Sequence, residues 1–153
     1  MKTYIITLSQ VFPSTHKRAG KPTGFRDNLR KSKLHTIRAN YNFWRKRFEK
    51  IEQGRACLSV REWVGKPYAE GSTQREIIRL TREDGIGIEK LWFDRANIYC
   101  PMIATDKFNF SQVPLHIANN DGLDFDDWFE WFKGYDLTKP MAIIHFTNFR
   151  YCQ

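Results

Sequence analysis

The chain of 153 residues contains no stretch approaching about 18 consecutive apolar residues, which excludes a transmembrane helix. Its opening Met1-Lys2-Thr3-Tyr4-Ile5-Ile6-Thr7-Leu8 is too short and too alternating for a secretory signal, and no small-residue cleavage site follows. A cytoplasmic location is expected. Cysteine is scarce: Cys57, Cys100 and Cys152 are odd in number, far apart, and form no Cys-x-x-Cys pair. That argues against both a disulfide framework and a zinc knuckle. His16, His35, His116 and His145 are equally scattered, and nothing has metal-ligand spacing. Neither a metal nor a cofactor is expected. Repeats, low-complexity tracts and linkers long enough to split domains are missing as well, so residues 1–153 are expected to form one domain. A chain this long buries roughly 68–70% of its unfolded surface. With 41% hydrophobic and 27% charged residues, it has the composition of a folded domain rather than a disordered one.

What is present in excess is positive charge. Twenty-five Lys and Arg stand against seventeen Asp and Glu, a net +8, and the excess is localised. His16 to Arg55 holds thirteen basic and three acidic residues, whereas Asp121 to Asp136 holds six acidic residues and one lysine. A basic half with a separate acidic segment suits nucleic acid or nucleotides as partners better than a membrane surface. The same numbers describe a solvated basic face over an aromatic core, since 15% of the residues are Phe, Trp or Tyr.

Along the chain, Lys2 to Leu8 alternates, with Tyr4, Ile6 and Leu8 on one face, and predicts a strand. Ser9 to Gly24, with Pro13, Gly20, Pro22 and Gly24, reads as a long loop, a length unusual in a compact domain and often functional. A helical turn around Phe25 to Lys31 precedes an extended His35 to Arg38. Tyr41, Trp44, Phe48 and Ile51 fall at helical spacing between a capping Asn40 and a terminating Gly54. Arg45, Lys46, Arg47 and Lys50 lie mostly off that stripe, giving the helix a basic face. Strands are predicted at Ala56–Trp63, Gln74–Arg82, Ile86–Phe93 and Ala96–Ile103, with Glu83-Asp84-Gly85 as a hairpin turn. A short helix over Leu115–Asn120 leads to a second helix capped by Asp124, with Phe125, Trp128, Phe129 and Phe132 as its buried stripe. Met141 to Phe149 closes the chain as an apolar strand. Five or six strands with helices between them predict an α+β fold, a small β-barrel with peripheral helices.

Chemistry concentrates in three segments. Lys33-Leu34-His35-Thr36-Ile37-Arg38 places a lysine three residues before a hydroxyl; a desolvated lysine can serve as base for a Thr nucleophile or a water. In extended backbone these two side chains point to opposite faces, so they share a site only if a turn or bulge lies between them, as a helix-to-strand transition would supply. The second segment is Ile117-Ala118-Asn119-Asn120-Asp121-Gly122-Leu123 entering the aromatic helix, and the third is Met141-Ala142-Ile143-Ile144-His145-Phe146. Asp121 also has a plain reading as an Asp-Gly turn before a helix, and Arg38 as the ion-pair partner of a late-helix aspartate. His116 and His145 read as core-edge histidines.

In this order the segments resemble the ASCH family, a branch of the PUA-like β-barrels associated with RNA and nucleotide metabolism. The resemblance spans the element order of nearly the whole chain and is specific at Lys33–Arg38 and Ala118–Phe146. It implies binding of RNA or a modified nucleoside or nucleotide in a cleft beside the barrel. One bacterial branch, the acetylcytidine amidohydrolases, uses a Lys, a Thr three residues later and a Glu in the turn before the late helix. These fall here on Lys33, Thr36 and Asp121, the last one methylene shorter. The implied roles are Thr36 as nucleophile or water-orienting group, Lys33 as base and Asp121 as acid toward the departing amine. Arg38, His35, Arg45 and Lys46 are the expected ligand contacts. The leading expectation is an RNA- or nucleotide-binding domain with its cleft around Lys33, Thr36, Arg38 and Asp121. An amidohydrolase acting on an acylated cytidine, a ribonuclease, and a protein-interaction module that uses the basic face are the alternatives.

Overall fold

Tyr4 and Ile6 turn inward from β1 (Lys2–Thr7), and Tyr4 lies opposite Leu58 and Ile6 opposite Val60 on β3 (Ala56–Val64). This pairing is parallel. β4 (Thr73–Leu80) then runs antiparallel to β3, with a bulge at Val60/Arg61, completing a three-stranded sheet. This computed structural model describes residues 1–152, and among them the chain forms eight strands in two sheets and four helices. The second sheet has five strands in the order β2-β8-β5-β6-β7, every neighbouring pair antiparallel. Its members are β2 (His35–Ala39), β5 (Gly87–Phe93), β6 (Pro101–Ala104), β7 (Asn109–Ser111) and β8 (Met141–His145). All five residues of β8 are buried, which is why that strand reads as an unbroken apolar run. The fold is α+β, with eight strands rather than five or six and no closed barrel among the described residues.

The helices follow local sequence closely. α1 (Phe25–Asn28) is a single turn. In α2 (Tyr41–Glu52) the Asn40 side chain accepts from the Phe43 amide at 3.3 Å, and Trp44, Phe48 and Ile51 are buried. α3 (Pro114–Asn120) starts with proline in its first turn. In α4 (Phe125–Phe132) Asp124 caps the Asp127 amide at 2.8 Å, and Trp128 and Phe132 enter the core while Phe125 and Phe129 are only partly buried. No helix is long and apolar enough to cross a membrane.

Three strand expectations are corrected. Glu83-Asp84-Gly85 does not make a hairpin, because β4 and β5 belong to different sheets. The Thr81 amide donates to the Asp84 carboxylate at 2.8 Å, a capping arrangement that winds Arg82–Asp84 into a 3₁₀ turn before Gly85 ends it at φ +80°. A helical turn hands the chain across to the second sheet where a hairpin turn would have folded it back. Of the strand expected over Ala96–Ile103, only Pro101–Ala104 forms, since Arg95 and Ala96 adopt positive φ in a preceding turn. The closing strand likewise ends at His145 rather than Phe149.

The long Ser9–Gly24 loop is pinned rather than free. Phe12 and His16 are buried, the His16 ring bonds the Asp127 carbonyl at 2.9 Å, and Arg18 pairs with the Asp127 carboxylate. The late-helix aspartate that meets an arginine therefore meets Arg18, not Arg38.

Candidate active site around Lys33 and Asp121

The turn lies before Lys33 rather than between Lys33 and Thr36, with Lys33 in an isolated bridge and Thr36 already in β2. The chain leaves α1 through Leu29–Ser32, and Lys33 forms an isolated bridge to Asp121, the residue that closes α3. The Leu34 amide then donates to the Asn120 carbonyl at 2.7 Å, and the Leu34 carbonyl accepts from the Phe146 amide at 2.9 Å. Gly122 follows at φ +84°, and a Cβ there would stand 3.0 Å from the Lys33 Cβ. Both the backbone angle and the close approach call for glycine.

Lys33 is 1% exposed and Asp121 3%. The Lys33 Nζ donates to the Asp121 carbonyl at 2.7 Å and to Oδ1 at 3.0 Å, and it lies 3.9 Å from the centre of the Phe25 ring. Burial lowers the Lys33 pKa, and the facing carboxylate only partly restores it. For Asp121, burial raises the pKa, but the Lys33 charge and the contacts with His35 outweigh it and hold the carboxyl below its usual range.

His35 is fully buried beside them, with Nδ1 at 3.6 Å from Asp121 Oδ1, an electrostatic contact too long for a hydrogen bond. Tyr151 shares a hydrogen bond with it: the phenol accepts from Asn120 Nδ2 at 3.1 Å and lies 2.6 Å from His35 Nε2. With the phenol as donor, the imidazole proton is on Nδ1, facing the carboxylate. Burial raises the Tyr151 pKa and lowers that of His35, which favours the protonated phenol and the neutral imidazole.

Thr36, 6% exposed, joins Lys33, Arg38 and Asp121 in lining a cavity of about 40 Å³ walled by Phe25, Trp131 and Tyr135. The Lys33 ammonium is bonded to Asp121 rather than to Thr36. Arg38 sends Nη2 to the Thr7 carbonyl at 2.6 Å, while its buried Nε has no partner among the described residues. Burial lowers the Arg38 pKa. The cavity holds a water or two, or an acetyl-sized group; whole-ligand sites run to roughly 300–1,000 Å³. Two larger grooves share walls with it. One of about 280 Å³ meets it at Leu8, Ser9 and Phe25, and one of about 430 Å³ meets it at Tyr135. Arg45 and Lys46 are not brought in: both are exposed on α2, where Arg45 pairs with Glu49 at 3.6 Å.

No protein-family model, no curated protein and no solved structure matches the chain. The chemistry of the site therefore rests on its own geometry. Among the described residues, no group of three or more His, Cys, Asp or Glu side chains is placed to hold a metal ion.

Sequence reading missed the layer behind the site. His145 is fully buried rather than at the core edge, and His116 is exposed. His145 lies opposite His35 in the sheet, their rings 5.4 Å apart, and its Nε2 donates to Glu89 at 2.8 Å. Glu89 also accepts the amides of Tyr151 and Cys152, anchoring the segment that carries Tyr151. The His-Phe end of β8 was the one visible hint of this layer.

Burial pulls the His145 pKa from 6.5 to about 4. Its Nδ1 has no acceptor among the described residues, so a proton there would be stranded. A depressed histidine leaves the unfolded chain holding more protons between pH 6.5 and 4, so stability is full above that window and falls through it. Unfolding free energy is expected to drop by about 3 kcal/mol between pH 7 and pH 4 from this group. Urea denaturation across that range, with His145→Gln flattening the slope, checks it; a parent curve as flat as the variant's would show that His145 titrates normally.

Proposed function

We propose that the chain is a PUA-like domain of the ASCH type that hydrolyses the acyl amide on the exocyclic nitrogen of a cytidine. The observation that carries this reading is the buried Lys33–Asp121 pair set beside Thr36 over an acyl-sized cavity. Lys33, 1% exposed, is withdrawn from the surface on which a phosphate backbone would lie. Buried ionisable pairs with shifted pKa values, in a concave site, are the pattern of acid–base catalysis.

The pair supplies both proton-transfer groups at once. Transfer of a proton from the Lys33 ammonium to the Asp121 carboxylate yields a neutral amine and a carboxylic acid. Lys33 then takes the Thr36 hydroxyl proton as Oγ1 bonds to the acyl carbon. Asp121 gives its proton to the nitrogen as the C–N bond breaks, releasing cytidine and leaving an acyl ester on Thr36. A water repeats the cycle: Lys33 takes its proton, Asp121 protonates the departing Thr36 oxygen, and the carboxylic acid leaves. Arg38 supplies positive charge for the tetrahedral oxyanion.

Turnover of N4-acetylcytidine by the purified chain, with Lys33→Ala in parallel, tests this. Cytidine released by the parent and not by the variant supports it, and equal release by both places the chemistry elsewhere. No release by either rejects the substrate. RNA binding that weakens log-linearly with salt would then give the domain to RNA, through the exposed basic face of α2 with Arg45 and Lys46.

A further inference from the structure

The groove of about 280 Å³ beside the Lys33 cavity has an arrangement that neither packing nor the hydrolytic chemistry explains. Glu62 sits on the buried face of β3 with its side chain 4% exposed, and two arginines converge on one of its oxygens. Arg75, across the β3–β4 ladder, reaches Oε1 from Nη2 at 2.5 Å and from Nε at 3.2 Å. Arg26, from α1, reaches the same Oε1 at 3.0 Å. Both arginine side chains remain about half exposed, at 52% for Arg26 and 50% for Arg75, and both line the groove.

Glu62 neutralises one guanidinium, and the second, fixed in place beside it, has no paired carboxylate, the remaining one in the groove being Asp27. Arg26 Nη2 and Arg75 Nη1 donate to no protein acceptor among the described residues. A carboxylate buried to hold two arginines is a poor way to gain stability, because apolar residues of similar volume commonly do as well or better. It is an effective way to hold guanidinium planes still, which is what bidentate recognition of a tetrahedral anion requires. Asp27 also lines the groove and forms no ion pair with either arginine. With Glu62, whose Oε2 accepts no hydrogen bond among the described residues, it is the negative charge an incoming anion meets.

We propose that Arg26 and Arg75, anchored by Glu62, form a phosphate subsite that seats a phosphate ester of the nucleoside whose acyl group enters the Lys33 cavity. Phe25 forms part of both walls, with its ring under the Lys33 ammonium and its residue lining the groove. A ligand passing over that ring joins the two sites. Assigning the phosphate to the substrate rests on the amidohydrolase reading; the anion site itself does not.

Calorimetric titration of the full chain with cytidine, cytidine 5′-monophosphate, the dinucleoside monophosphate CpC and inorganic pyrophosphate tests the proposal. The 5′-monophosphate is expected to bind about tenfold or more tightly than cytidine, as one or two charge-assisted hydrogen bonds provide, and pyrophosphate is expected to bind alone. Arg75→Ala and Arg26→Ala bring the monophosphate to the cytidine level and abolish pyrophosphate binding. Asp27→Asn, which breaks no ion pair, tightens the monophosphate about threefold and leaves cytidine unchanged, a response that a purely structural Arg–Glu–Arg cluster would not give. A gain shared by CpC identifies the phosphate as that of an RNA strand, and a gain confined to the monophosphate identifies a mononucleotide. Equal binding of cytidine and its monophosphate with no pyrophosphate heat overturns the subsite, as does an unchanged monophosphate affinity in Asp27→Asn and both arginine variants. Pyrophosphate binding lost in Arg75→Ala, in a chain that never deacylates acetylcytidine, removes the amidohydrolase reading and keeps the anion site. Turnover without any phosphate preference does the reverse.

Discussion

Lys33→Met is expected to lower the free energy of unfolding by about 3–5 kcal/mol at pH 7, the cost of leaving one member of a buried ion pair without the other. The methionine refills most of the volume, so the loss is electrostatic rather than a cavity effect. Asp121, 3% exposed, would keep its contact with His35 at 3.6 Å but lose both the ammonium on Oδ1 and the donor to its carbonyl. With the partner gone, burial is the dominant influence left and the Asp121 pKa rises above its unfolded value. A raised carboxyl contributes against stability once pH exceeds the unfolded pKa of about 3.9. The deficit is therefore largest at neutral pH and shrinks as the solution approaches pH 4, where the carboxyl protonates within the fold. In the double variant Lys33→Met/Asp121→Asn no charge remains to be stranded. It should be more stable at pH 7 than Lys33→Met alone, with a coupling of about 1–3 kcal/mol in the cycle. Urea midpoints with an unchanged slope report the difference. Strict additivity, or a single-variant loss below about 1 kcal/mol, would mean that the pair is hydrated and that the site is not the desolvated one described.

The elements that sequence made legible are those whose signals are local. Asn40 and Gly54 bracket α2 because capping and termination act within one turn, and Tyr4, Ile6 and Leu8 mark β1 because alternation reports one buried face. Glu83-Asp84-Gly85 misled because an Asp-Gly step fits two structures. The choice fell to Thr81 and Asp84, whose mutual hydrogen bonds favour the 3₁₀ turn. Nor does any periodicity say which strands share a sheet. The parallel partner of β1 lies beyond two helices and β2, and β5 pairs with β8 some fifty residues away.

The site divides along the same line. Lys33 and Asp121 are 88 positions apart, and no spacing rule joins them; the resemblance to the amidohydrolase branch suggested the pair, and the structure brings the two side chains within 3.0 Å. Arg45 and Lys46 entered the candidate list on charge alone, and charge on an amphipathic helix points to solvent, which is where they are. The plain reading of Arg38 as the partner of a late-helix aspartate fails as well, since it bonds the Thr7 carbonyl and lines the cavity. Tyr151 had no signal at all. It is a lone aromatic near the end of the chain, and its effect on His35 arises only when Glu89 gathers the Tyr151 and Cys152 amides.

Thr36→Ala should cost about 10²–10⁴-fold in kcat for acetylcytidine, with kcat/KM falling in parallel, because a nucleophile contributes to the transition state and little to ground-state binding. Thr36→Ser, which keeps the hydroxyl and removes a methyl, should retain most of that rate. The comparison is clean because Thr36 belongs to no ion pair and its truncation enlarges a 40 Å³ cavity only by a methyl and a hydroxyl, so both variants should fold. The pair of measurements also separates the two nucleophiles that the site can supply. If Oγ1 attacks, an acyl ester forms on Thr36 and hydroxylamine added to the parent intercepts it as the hydroxamate, at the expense of the free acid. If water attacks directly, no ester exists, Thr36→Ala loses only an orienting hydrogen bond, and the rate falls by about tenfold. Either result keeps Lys33 and Asp121 as the base and acid, since each attacking group must lose a proton and the departing nitrogen must gain one. A Thr36→Ala variant with the parent's rate and no hydroxamate would remove Thr36 from the chemistry and reduce its place in the cavity wall to packing.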